Sequence, residues 1–280
     1  NTDIQIDAGG FLDSYGTFNN YNHTIVLNGG KLGNMLDRDN NDWQKNHFGN
    51  VRLTADSEME FKRGGLLGQG FGPIVLDLQE HTLTWTGSGS NKDAWTWFCN
   101  TTVMNGTLIV KGDWMLGNFS STNPGVDART ATVEIQGKLG IDNVTLKAGN
   151  YICNTTTQPN NLKGTMTVSG KFTPKTNYFY GFIAQNGASF DLSEQTLPWS
   201  TTGLVTGGNV PKTITFADGA TITVDVGDRK LHNGDQVIVW TSTPANYDTL
   251  KFKLPSGRMG ELTVTSTGVC YSCGLVIFVR

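Results

Sequence analysis

Three segments of the chain share one pattern, and this pattern decides the fold: GTLIVKGDW (Gly106 to Trp114), ATVEIQGKL (Ala131 to Leu139) and GTMTVSGKF (Gly164 to Phe172). Each segment has nine positions. They are, in order, a small residue, Thr, an apolar residue, any residue, a second apolar residue, a polar residue, Gly, either Lys or Asp, and a third apolar residue. The alternation of apolar residues is the period of a β-strand. The Gly that follows it indicates a turn or bulge, after which a second short strand begins.

Looser copies of the pattern extend it in both directions. We align ten apolar pairs: Ile25/Leu27, Val51/Leu53, Leu76/Leu78, Leu108/Val110, Val133/Ile135, Met166/Val168, Phe190/Leu192, Ile214/Phe216, Val237/Val239 and Leu262/Val264. The steps between them are 23 to 26 residues, apart from one of 32 and one of 33. Such a repeat is typical of a β-solenoid, whose coils stack through parallel ladders about 4.8 Å apart. The alternative is an antiparallel β-sandwich, which gives no reason for the recurring Gly corner.

The composition agrees with an all-β protein and excludes several classes. Among 280 residues there are 35 Gly, only 16% are charged, and the net charge is −3. The Gly residues have no collagen period, and the chain lacks a basic field for nucleic acid. No apolar run approaches the roughly 18 residues that span a bilayer. The abundance of Asn, Thr and Gly, with an even number of Cys, favours an extracellular or cell-surface location.

The three segments, with KTITFADGATITV (Lys212 to Val224), resemble right-handed parallel β-helix proteins of the pectin-lyase-like type. They are especially similar to autotransporter-associated repeats of bacterial surface proteins. The stretch from GDQVIVWTS (Gly234 to Ser242) to GLVIFVR (Gly274 to Arg280) resembles the end of such passenger regions. This likeness implies a single-stranded β-helix of about ten coils with inserted loops and a C-terminal hairpin cap. The family includes adhesins, stalks and polysaccharide-active enzymes, so it leaves the function open.

The repeat divides the chain into three parts. Residues 1–20 are expected to form an N-terminal cap or a strand that pairs with a partner. Residues 21–268 are expected to form the solenoid, and residues 269–280 are expected to form a C-terminal capping strand.

The four cysteines predict two disulfides. The two long steps read as inserted loops, one carrying Cys99 and the other Cys153. Loops one short coil apart can meet, which favours a Cys99–Cys153 bridge; two separate buried thiols are the alternative. Cys270 and Cys273 lie between apolar strands with neither a following helix nor a second pair, which favours a small disulfide loop over a redox or zinc site.

The first long step also holds the best candidate for recognition. Trp95 and Trp97 alternate on a strand and share a face, beside Trp85 and Phe98. Aromatic faces stack on sugar rings and on partner proteins. The alternative is that these rings pack in the coil interior.

An enzyme of this architecture would carry acids and bases on the outer face of adjacent coils. The residues between the aligned apolar pairs are Val26, Arg52, Asp77, Ile109, Glu134, Thr167, Asp191, Thr215, Ile238 and Thr263. Sugar hydrolysis needs two carboxylates about 5–10 Å apart. Asp77 and Glu134 are expected two coils apart with Ile109 between them, and no His joins them. We therefore expect no catalytic residues.

These observations favour a secreted, non-catalytic β-solenoid that serves as a stalk, an adhesin or a fibre-forming subunit. A polysaccharide lyase or hydrolase is one alternative, and a carbohydrate-binding module using Trp95 and Trp97 is another. We expect no cofactor or metal. The expected partners are a second copy, through the solenoid ends or the N-terminal strand, or a glycan.

Overall fold

The computed structural model describes residues 3–13, 23–34, 50–61, 66–67, 74–87, 96–98, 100–112, 114–117, 125–142, 144–155, 164–204 and 212–273. These residues form strands and one 3-10 helix, Tyr247–Thr249. The strands are β1 (Ile4–Asp7), β2 (Phe11–Asp13), β3 (Thr24–Asn28), β4 (Lys31–Asn34), β5 (Asn50–Ala55), β6 (Ser57–Phe61), β7 (Leu66–Leu67), β8 (Ile74–Asp77), β9 (Thr82–Gly87), β10 (Thr96–Phe98), β11 (Thr101–Val110), β12 (Trp114–Gly117), β13 (Gly125–Ile135), β14 (Leu139–Asp142), β15 (Thr145–Cys153), β16 (Thr165–Val168), β17 (Lys171–Pro174), β18 (Ile183–Ala184), β19 (Ser189–Asp191), β20 (Trp199–Ser200), β21 (Thr215–Phe216), β22 (Thr221–Asp225), β23 (Gln236–Val239), β24 (Lys251–Lys253), β25 (Glu261–Thr265) and β26 (Gly268–Ser272).

The strands stack along two main parallel ladders. The first runs through β1, β3, β5, β8, β11, β13, β15, β16, β18 and β21. The second runs through β2, β4, β6, β9, β11, β13, β15, β17, β19, β22 and β24. A smaller parallel sheet joins β7, β10, β12 and β14. The fold is thus all-β with a long, mostly parallel sheet, an arrangement that fits a solenoid and not an antiparallel sandwich.

Alternation along the strands builds one continuous core. Apolar side chains at every second position point inward, as in β5, where Val51 and Leu53 are buried and their neighbours are exposed. In the second ladder the inward positions become aromatic: Tyr151 stacks on Phe172 with ring centroids 5.4 Å apart, and Phe172 meets Phe190 at 5.7 Å. Stacking therefore joins short strands, too small to be stable alone, into one core.

The Gly corners allow the coils to approach each other. A Cβ added to Gly137 would lie 2.1 Å from the carbonyl oxygen of Gly112 in the coil before. At Gly149 the corresponding distance, to the carbonyl oxygen of Arg129, is 2.3 Å. These glycines leave room for a neighbouring backbone, and this accounts for part of the high Gly content.

The predicted alignment is wrong at both long steps. Leu76 pairs with Val103, whereas Leu108 pairs with Leu83, so the 32-residue step joins two different ladders. The 33-residue step hides a whole strand, β15, which pairs with β13 on one side and with β16 and β17 on the other.

The repeat length is also less constant than the alignment implies. Thr167 pairs with Ile183, 16 residues later, whereas Phe190 pairs with Val224, 34 residues later. Parallel pairing is therefore retained while the connections between strands change in length.

The parallel stack gives way to an antiparallel hairpin near residue 260. The aligned pair Leu262/Val264 was expected to form a further coil, but it lies in β25, which is antiparallel to β24 and to β26. β26 in turn is antiparallel to β23.

Two of the aligned positions that were expected to face outward, Val26 and Ile238, are buried in the structure.

Candidate functional site

The outer face of the second ladder carries two carboxylates that the register places opposite each other. Asp191 of β19 lies directly opposite Asp225 of β22. The Nζ of Lys171 is 2.6 Å from one carboxylate oxygen of Asp191, and the hydroxyl of Ser193 donates to the other at 2.6 Å. The backbone N–H of Gly227 donates to Asp225 at 2.9 Å.

Asp191 is not arranged to act as a general acid. Burial acts to raise the pKa of Asp191, but the hydrogen bonds from Lys171 and Ser193 outweigh it and leave that pKa below its ordinary value. A general acid needs a raised pKa so that it keeps a proton near neutral pH. Asp191 is thus held ionised, and the contacts tie neighbouring strands together.

The carboxylates considered in the sequence analysis lie apart. Asp77 belongs to the first ladder, where it pairs with Arg52 and Met104, and Glu134 belongs to the second, where it pairs with Ile109. The Asp77 carboxylate accepts hydrogen bonds from Gln79 and Asn105. Glu134 accepts from Gln136 and Asn154. The expectation that Asp77 and Glu134 share one face was wrong, because the 32-residue step of the alignment passes from the first ladder to the second.

The aromatic candidate is described only in part. Trp95 lies outside the described residues, and Trp97 lies in β10, where its backbone pairs with Leu66 and Met115. Trp85, which the sequence groups with them, is fully buried in the core. Recognition by Trp95 and Trp97 therefore stays a prediction.

The cysteines are free thiols wherever the structure describes them. Cys153 is buried at the end of β15, not in an exposed loop, and its thiol donates to the carbonyl oxygen of Tyr178. The expected Cys270–Cys273 bridge is not formed. β26 is extended from Cys270 to Ser272. At about 3.3 Å per residue, the three steps from Cys270 to Cys273 separate their Cα atoms by more than the roughly 7 Å that a disulfide spans. Cys99 lies outside the described residues.

A set of polar corner residues was not foreseen from the sequence. The side-chain oxygens of Asn50, Asn150 and Asn186 accept hydrogen bonds from the backbone N–H groups of Val75, Lys171 and Thr221, in each case in the next strand of the stack. Asp56 accepts from Thr82 in the same way, at 2.7 Å. The abundance of Asn in the chain was the available signal.

A groove lies beside β24, near the point where the parallel stack ends. Its volume is about 560 Å³, and its lining includes Tyr247 and residues of β24 and β25. Its charged lining residues are three cations, Lys251, Lys253 and Arg258, and two acids, Asp248 and Glu261. A groove of this size fits a small ligand or a chain segment.

The described part of the chain offers neither a cluster of metal ligands nor a membrane-spanning helix. No three His, Cys, Asp or Glu side chains there are grouped to hold a metal ion. None of the helical segments in that part of the chain has the length and the hydropathy that are needed to cross a membrane.

No protein-family model, curated protein or solved structure matches the chain.

Proposed function

We propose that the chain is an extended structural element of a secreted or cell-surface protein, acting as a stalk, an adhesin or a fibre-forming subunit. The observation that supports this most is the pair of long parallel ladders around a continuous core. Each strand is held by the strands before and after it, so the stack is stiff along its length. A stiff stack is suited to holding another domain away from a surface.

The contacts between coils support the same role. Lys31 forms ion pairs with Glu58 and Glu60 of the next strand, and Lys175 forms one with Glu194. Arg229 donates two hydrogen bonds back to the carbonyl oxygens of Leu192 and Ser193. The charged side chains in these contacts are used to join neighbouring coils.

We further propose that the stack is a right-handed, single-stranded parallel β-helix of the pectin-lyase-like type. Parallel strands joined by a crossover in one sheet are right-handed in nearly all proteins. The parallel register and the repeat segments GTLIVKGDW, ATVEIQGKL and GTMTVSGKF support this assignment.

Two assays on the purified chain test the proposal against an enzyme or a glycan-binding module. A panel of acidic and neutral polysaccharides is incubated with the chain, and the release of reducing ends is measured. A glycan array is probed with the chain and with Trp97→Ala. We expect neither turnover nor binding that depends on Trp97. Turnover lost in Asp77→Asn would establish an enzyme and overturn the structural role. Binding lost in Trp97→Ala would establish a glycan-binding module and overturn the roles of stalk and fibre-forming subunit.

A further inference from the structure

The two ends of the stack differ in how their strand edges are covered. At the C-terminal end, β24 is paired with β22 on one side and with β25 on the other. β23 is likewise paired with β20 and with β26. The side chain of Asn246 donates to the carbonyl oxygen of Phe216, in the last strand of the first ladder. Both edges of β23 and of β24 are therefore already occupied by strands.

In the described part of the chain, β1 and β2 at the N-terminal end each have one edge without a partner strand, and the charges beside them are acidic. Among the described residues, β1 pairs only with β3, and β2 pairs only with β4. Asp3 and Asp7 are exposed there, and the described groups that donate to their carboxylates are neutral. The Thr24 N–H donates to Asp3, and the side chains of Gln5 and Asn28 donate to Asp7. Residues 3–13 contain no Lys or Arg. The negative charge at this end is therefore not neutralised within the described chain.

The groove at the other end carries the opposite charge. Lys251 and Lys253 are exposed at alternate positions of β24, so both side chains lie on one face. Neither forms an ion pair with a described residue, unlike Lys31, Lys171 and Lys175. With Arg258, they outnumber the two acids of the groove, Asp248 and Glu261.

We propose that the acidic N-terminal edge of one copy docks at this basic groove of a second copy. The contact is electrostatic, because the hairpin already covers the C-terminal strand edges. It uses two different surfaces of the chain, so it repeats from copy to copy and builds an open, head-to-tail assembly. Charges in such a contact are exposed, so salt weakens it. The inference rests on the proposed function, in that it treats the chain as the unit of an extended structure.

A reciprocal charge reversal tests the contact on the full chain. One variant carries Lys251→Glu with Lys253→Glu, and the other carries Asp3→Lys with Asp7→Lys. The control carries Lys111→Glu with Lys147→Glu, two exposed lysines elsewhere that change the net charge equally. Mass is followed by size-exclusion chromatography with light scattering at about 20 mM and about 500 mM salt, and circular dichroism confirms that each variant is folded.

We expect the wild type and the control to form multimers at low salt that dissociate at high salt. Each reversal variant alone is monomeric, because both of its ends then have the same sign. An equimolar mixture of the two variants assembles again, since opposite ends meet. A wild type that stays monomeric at every concentration overturns the proposal, as does a mixture that fails to assemble. A monomer that is elongated in solution scattering leaves the structural role standing, whereas a compact monomer contradicts both.

Discussion

At the scale of single residues, short polar side chains at the corners hold successive coils together. Asn150 is the clearest case. Its side-chain oxygen accepts from the backbone N–H of Lys171 at 2.8 Å, and its amide donates to the Thr132 hydroxyl at 3.2 Å. One side chain thus contacts residues on the strands before and after its own.

Replacing this side chain tests the corner interaction. We expect Asn150→Ala to lower the free energy of unfolding by about 1–2 kcal/mol, because a backbone N–H loses its partner. Equilibrium denaturation in urea measures the change. Asn177→Ala is the control: its side chain is exposed and bonds to no described residue, so we expect a change within about 0.5 kcal/mol. Equal losses in both variants would contradict the role of Asn150.

The thiols provide a second test at this scale. Burial raises the pKa of the Cys153 thiol, so less thiolate is present at a given pH. We expect iodoacetamide at mildly alkaline pH to alkylate the exposed Cys273 and to leave Cys153 unmodified until the chain is unfolded in denaturant. Peptide mapping by mass spectrometry identifies the labelled residues. Equal labelling of Cys153 and Cys273 in the folded chain would show that β15 does not hold the thiol in the core.

At the scale of the strands, the sequence predicts best where the inward residues are aliphatic. Leu108 and Val110 pair with Val133 and Ile135, as their matching segments imply. In the part of β15 that belongs to the second ladder, the inward positions are Tyr151 and Cys153, which do not repeat that aliphatic pattern, and the strand was missed. The expected placement of Asp77 and Glu134 on one face was wrong for a related reason, since an outward face can be read only when the register is right.

The C-terminal hairpin gives a prediction at the same scale. An added Cβ at Gly268 would lie 2.0 Å from the carbonyl oxygen of Ile238, across the pairing of β26 with β23. We expect Gly268→Ala to lower the free energy of unfolding by at least about 2 kcal/mol and, because it exposes a strand edge, to promote aggregation.

The matched control is Gly257→Ala. Its backbone has φ +89, and a Cβ there meets nothing within 4 Å. We expect a loss of about 1 kcal/mol from backbone strain alone, with no aggregation. Urea titration and light scattering compare the two variants. A Gly268→Ala protein as stable and soluble as the control would show that the hairpin does not protect the strand edges.

At the scale of the whole molecule, the central claim is that the chain rises steadily through parallel strands. Composition and repeat pointed to such a stack, and the first ladder shows it directly. Nine successive parallel pairings lead from β1 to β21. At about 4.8 Å each, they separate the first and last strands by about 43 Å.

Distances between spin labels on the outward face of this ladder test the claim most directly. Gln5, Lys147 and Thr215 are exposed on β1, β15 and β21. Labels are attached in pairs by chemistry that spares the cysteines, and measured by pulsed electron paramagnetic resonance in high salt, where copies stay apart. We predict about 29 Å for the pair at residues 5 and 147, six steps apart, and about 43 Å for the pair at residues 5 and 215. Two similar distances, or a shorter one for the second pair, would contradict the stack.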